Sequence, residues 1–131
     1  MSGPLLDRFD LVIEVPPVEL ESLTATAPGE PSVNVRQRVI EARSLQQARY
    51  GRRGASSNAG MSPAELAEWV ALGAGPLRLL ASACRRLGLS ARGFDRVRRV
   101  ARTLADLDGS IEVREPHLAE AVQYRRSLGG L

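Results

Sequence analysis

Leu11-Val12-Ile13-Glu14-Val15 is apolar and β-branched, and Pro16-Pro17 stops it hard. This run reads as the end of a β-strand, yet nothing upstream could pair with it. A strand without neighbours leaves its ladder groups unpaired and builds no stable sheet. The fold reading therefore rests on the helical pattern downstream. Residues 16–32 offer no help, because Pro16, Pro17, Pro28, Gly29 and Pro31 interleaved with Thr, Ser and Glu read as an extended linker.

From Val33 the pattern is helical. A first helix is expected from about Ser32 to Tyr50, with Val35, Val39, Ala42 and Leu45 as its apolar stripe. Gly51-Arg52-Arg53-Gly54 ends it, and residues 51–60 form a loop. Ser62-Pro63-Ala64-Glu65 combines a serine cap, a first-turn proline and a glutamate placed to close a capping box. Gly73 to Gly75 break that helix and Pro76 opens the next, with Leu77, Leu80, Ala81, Cys84 and Leu87 at three- and four-residue steps. Gly88 suits a C-terminal cap. Ser90 caps a long helix to about Asp108, with Phe94, Val97, Ala101, Leu104 and Ala105 facing inward. Ile111 to Val113 is a short extended piece, and a last helix runs from Glu115 or Pro116 to Ser127. The expected fold class is all-α: about five helices over residues 33–131, preceded by a short strand-like piece at 1–18 and a linker at 19–32. Residues 1–32 are expected to be irregular without a sheet to join.

Much chemistry is excluded. All 18 basic residues are arginine. Without lysine there is no G-x-x-x-x-G-K-S/T loop and no Schiff base. No G-x-S-x-G, H-E-x-x-H or C-x-x-C occurs. Cys84, the single cysteine, reads as a small hydrophobe on an apolar face. His117, the single histidine, reads as a surface or half-packed residue with no metal-ligand partner in spacing. Asp106 and Asp108, and Glu112 and Glu115, read as solvated surface acids. No apolar run approaches the roughly 20 residues of a membrane span. With no secretory signal pattern, the default expectation is a cytoplasmic protein without a membrane partner.

Two arginine features remain. Arg8 lies in Leu5-Leu6-Asp7-Arg8-Phe9-Asp10-Leu11, where an ion pair with Asp7 or Asp10 is the plain reading. From Arg85 to Arg102, seven arginines face one acid, Asp95. Arg96, Arg98, Arg99 and Arg102 are candidates for nucleic-acid or subunit contact, against the simpler reading of a solvated helix face. Arg92 stands apart, two residues after the Ser90 cap. Unpaired N–H groups and the helix dipole favour an anion at such a terminus, and a guanidinium there can grip phosphate bidentately.

Ser2-Gly3-Pro4-Leu5-Leu6-Asp7-Arg8-Phe9-Asp10-Leu11-Val12-Ile13-Glu14-Val15-Pro16-Pro17-Val18 resembles the stretch that closes the ATPase core in the magnesium-chelatase-like branch of AAA+ proteins. Residues 89–125, opening Leu89-Ser90-Ala91-Arg92-Gly93-Phe94-Asp95-Arg96, resemble that branch's C-terminal helical lid, and within the branch the ComM/YifB subfamily in particular. The resemblance implies that residues 1–18 end an α/β core whose ATP-binding motifs lie upstream, and that 33–131 form the lid. It implies that Arg8 is the arginine finger reaching the ATP of a neighbouring subunit, and that Arg92 is the sensor 2 arginine touching the γ-phosphate within its own. It further implies a ring of identical subunits, a hexamer, that hydrolyses ATP with Mg²⁺ and drives DNA branch migration during transformation. The lid alone would carry no cofactor and no catalysis.

Two rivals stand beside it. One keeps the fold and makes the chain part of a chelatase motor inserting Mg²⁺ into a porphyrin; the Asp10-Leu11-Val12-Ile13-Glu14-Val15-Pro16-Pro17 continuation is unusual for those subunits. The other is a helix-turn-helix DNA-binding module built from helix 76–87, Gly88 and the arginine-rich helix.

Overall fold

The structure, a computed structural model, describes residues 3–25, 27–52 and 54–126. Seven α-helices follow one another: α1 (Gly3–Leu6), α2 (Leu20–Thr24), α3 (Ser32–Tyr50), α4 (Pro63–Trp69), α5 (Ala74–Leu87), α6 (Ala91–Leu107) and α7 (Glu115–Arg126), with a 3₁₀ turn at Asn58–Gly60 between α3 and α4. Among the described residues there is no strand. The expected strand at 11–15 is extended chain instead, because the structure places no second strand beside it. The described residues before Ser32 are also less irregular than expected. α1 and α2 form, and residues 7–12 dock on the helical body.

The local chemistry explains the helix ends. At α4, the Ser62 hydroxyl accepts from the Glu65 N–H at 3.2 Å and the Glu65 carboxylate accepts from the Ser62 N–H at 2.8 Å, a complete capping box. The same carboxylate accepts from the Ala55 N–H at 2.9 Å. These backbone donors hold Glu65 below the usual carboxylate range. α5 starts two residues earlier than Pro76, at Ala74, with Gly73 as its cap. Gly88 ends α5 at φ 60°, a left-handed conformation that costs glycine nothing. Ser90 caps α6 through a 3.1 Å bond from the Gly93 N–H.

α6 is the central helix, packed against α3, α4, α7 and the 3₁₀ turn, while α5 packs on α7. Leu66, Val70, Leu80, Val97, Ala101, Ala105 and Leu118 form the core. Trp69, Phe94 and Leu104 lie against it partly buried. Cys84 packs there too, and burial pushes its thiol pKa up, in keeping with a role as a small hydrophobe.

α3 departs from expectation. Val35, Val39 and Leu45 are exposed, and every residue from Ser32 to Glu41 is exposed. Only from Ala42 does the helix enter the body, and the residues it buries there are Ala42, Gln46 and Tyr50. The spacing is apolar, but the first half of α3 buries none of its residues, and Val39 only borders a groove beside Thr103 and Leu107 of α6.

His117 is a second correction. It is 7% exposed rather than a surface residue. Its Nδ1 accepts the Arg114 N–H at 3.0 Å, and its Nε2 lies 3.1 Å from Asp108. The ring thus fills the place of the glutamate in a capping box at the start of α7, with Nδ1 as acceptor and Nε2–H as donor. His117→Ala is expected to cost about 1 kcal/mol, measured by urea unfolding. His117→Gln, which still offers an acceptor to that N–H, is expected to recover most of the loss.

Candidate functional site

The Asp7–Asp10 block lies across the N-terminal end of α6 and the C-terminal end of α7. The Asp7 carboxylate accepts from the Ser90 hydroxyl at 3.0 Å and stands 3.5 Å from Arg125. Arg125 also donates to the Phe9 carbonyl. Asp10 pairs with Arg96. The Val12 N–H donates to the Tyr124 carbonyl at 3.1 Å. Arg125 is nearly fully buried, with 2% of its side chain exposed. Burial lowers its pKa, and Asp7 and Asp10 partly offset that. Gly93 makes room for it: a Cβ at that position would come within 3.4 Å of Arg125 Nη2.

This arrangement decides the plain reading of Arg8. Asp7 and Asp10 are bonded to Ser90, Arg125 and Arg96, and among the described residues neither pairs with Arg8. Arg8 is exposed in the turn after α1. Arg92 is exposed in the first turn of α6, beside the Ser90 cap that Asp7 touches. The structure thus brings the two singled-out arginines to one end of α6, both on solvent.

The stripe arginines behave differently. Arg98 donates to the Leu66 and Val70 carbonyls at 3.0 and 3.2 Å, at the C-terminal end of α4, where unpaired carbonyls and the helix dipole attract a cation. Arg99 donates to the Met61 carbonyl at 2.9 Å. Arg102 donates to the Ile111 and Ser110 carbonyls at 2.8 and 2.7 Å and is 3% exposed. With Arg96 on Asp10, all four engage this chain's own oxygen atoms.

One cluster was missed by reading the sequence. Asp106 is not a solvated acid; its side chain is fully buried. Arg49 pairs with both its oxygens, Arg102 approaches at 3.1 Å, and the Asn58 amide donates at 2.9 Å. Asn58 in turn accepts from the Tyr50 hydroxyl at 2.6 Å and from Arg49 at 3.1 Å, and its backbone N–H reaches Gln46 at 2.9 Å. The network joins α3, the 3₁₀ turn and α6, and borders a groove of about 990 Å³ toward the start of α7. Its one sequence signal was Asp106 four residues after Arg102. Asp108 is exposed as expected. Among the described residues no three His, Cys, Asp or Glu gather as a metal site, and no helix is long and apolar enough to cross a membrane.

Residues 29–125 match the family described as "Magnesium chelatase, subunit ChlI C-terminal". The competence protein ComM of Haemophilus influenzae is 42% identical over 126 residues, covering 95% of this chain and 24% of that protein. YifB of Escherichia coli is 41% identical over 127 residues, again 95% of this chain and 24% of its own length. YifB of Salmonella typhimurium is 39% identical over 127 residues, with the same shares. The chain spans about a quarter of the length of the curated relatives it matches.

Proposed function

The chain belongs to the magnesium chelatase, subunit ChlI C-terminal family, and on that premise we propose that it is the helical lid of a ring-forming AAA+ ATPase of the ComM type. Residues 1–18 carry the finger block, 19–32 the linker and 33–131 the lid. In this reading the parent ring, a hexamer of identical subunits in the cytoplasm, hydrolyses ATP and acts on DNA in transformation; the Haemophilus relative is named a competence protein. The lid senses nucleotide and does not hydrolyse it alone.

The observation that carries this reading is the freedom of Arg8. Its two acidic neighbours are bonded to Ser90, Arg96 and Arg125, so its guanidinium is available while its backbone is anchored. An exposed arginine on an anchored turn suits a phosphate in another subunit, whose γ-oxygens gather charge as the bond to the leaving group breaks. Arg92, at the first turn of α6, suits a phosphate of its own subunit.

Arg92→Ala in the full-length ring tests the reading. Loss of a charge-assisted hydrogen bond is expected to raise the Kd for ATP about tenfold, measured by nucleotide titration, with turnover reduced. Parental affinity and turnover would remove Arg92 from the site.

The family's description favours one second reading, a chelatase motor for porphyrin metallation, and neighbouring tetrapyrrole genes would support it over DNA-processing genes. The helix-turn-helix reading loses ground, because Arg98, Arg99 and Arg102 are bonded to carbonyls of the chain.

A further inference from the structure

We infer that Asp7, Asp10, Arg96 and Arg125 are positioning residues that mount Arg8 on the nucleotide-sensing end of α6, so that finger and sensor move as one body. The inference rests on the proposed finger and sensor roles and adds how they are linked.

Five bonds carry it. Asp7 meets Ser90 and Arg125, the Phe9 carbonyl meets Arg125, Asp10 meets Arg96, and the Val12 N–H meets the Tyr124 carbonyl. They flank Arg8 on both sides in sequence, and they connect residues 83 to 118 positions apart. Ser90 closes the link, because its hydroxyl accepts from the Gly93 N–H while donating to Asp7. Arg92 sits between Ser90 and Gly93 on that same turn. A shift of α6 that follows phosphate contact at Arg92 therefore carries Asp7 and Asp10 with it, and Arg8 between them. The consequence is directional. Nucleotide bound in one subunit sets where that subunit's finger stands in the neighbour's site.

The Asp10–Arg96 pair gives the cleanest test. Both partners are partly exposed, at 45% and 27% of the side chain. An ion pair so placed adds little to stability, so the variants should fold and melt close to parent. Arg8, however, would lose one of the five bonds of its mount, the side-chain pair nearest to it on the C-terminal side. A misplacement on the order of 1 Å can cost about 100-fold in rate. In the full-length ring, Asp10→Ala and Arg96→Ala are each expected to lower kcat about 10- to 100-fold with the KM for ATP near parental. The charge-swapped double variant, Asp10→Arg with Arg96→Asp, is expected to recover much of the lost kcat, which a general loss of folding would not show. Parental kcat in both single variants, in a ring where Arg8→Ala is inactive, would overturn the mount and leave the finger assignment standing. A kcat loss that the swap fails to recover would overturn it as well. Normal turnover in Arg8→Ala would overturn the finger assignment first, and the mount with it.

Discussion

Arg8→Ala in full-length rings is expected to cut ATP turnover by roughly 10³-fold or more while leaving ATP affinity near parental. The expected size follows from what a positioned guanidinium does for a phosphoryl group in flight, and the asymmetry follows from geometry. Arg8 is exposed in the turn after α1 and unpaired with Asp7 or Asp10, which suits the proposed target in a neighbouring subunit. Mixing supplies the check. Subunits carrying Arg8→Ala, co-assembled with subunits lacking the Walker A lysine of the upstream core, are expected to regain part of the activity. In such rings some sites join an intact ATP pocket to an intact finger, which neither pure ring contains. Absence of recovery in co-assembled rings, or normal hydrolysis by pure Arg8→Ala rings, would remove Arg8 from the mechanism.

Asp106→Ala is expected to destabilise the 131-residue chain by about 4 kcal/mol in urea unfolding. Removing one partner of a buried ion pair strands the others. Arg49 loses both carboxylate contacts, Arg102 loses one, and the Asn58 amide loses an acceptor. That is a large share of the roughly 5–15 kcal/mol typical of a whole domain. Arg49→Met combined with Asp106→Leu is expected to lie much closer to parent than Asp106→Ala, because apolar replacement of a buried pair leaves no stranded charge. A loss below about 1 kcal/mol in Asp106→Ala would show the network to be hydrated and weak.

How much of this could be read beforehand depended on sequence separation. α4, α6 and α7 were legible because their signals are local: the Ser62–Glu65 box, the Ser90 cap, the Gly88 stop and apolar steps of three and four. α5 was placed with its start two residues late, since Pro76 is tolerated anywhere in a first turn. The strand at 11–15 and the stripe on α3 failed for one reason. Each pattern states what a segment could bury, not whether a partner is present to bury it. Arg8 and Arg92 were visible as residues, but the bonds that bring them to one end of α6 join positions more than 80 apart, beyond any periodicity. The arginine stripe was legible as charge and illegible as direction. A guanidinium on a long stem reaches equally well to solvent or back to a carbonyl, and the neighbouring elements decide which.

The uncovered first half of α3 has a mechanical consequence. Ten residues, Ser32 to Glu41, are exposed and span about 15 Å of helix at 1.5 Å per residue. The linker enters at its Ser32 end, and Glu30 reaches along the helix to pair with Arg38. A tilt of about 10° at Ala42 would swing the tip by about 2.6 Å, given that length. α3 is therefore a rod pivoted near its middle, with Ser32–Glu41 on the linker side of Ala42 and Arg43–Tyr50 on the core side. An angular change in the bundle would thus reach whatever the linker joins as a displacement of similar size at the far end of the helix.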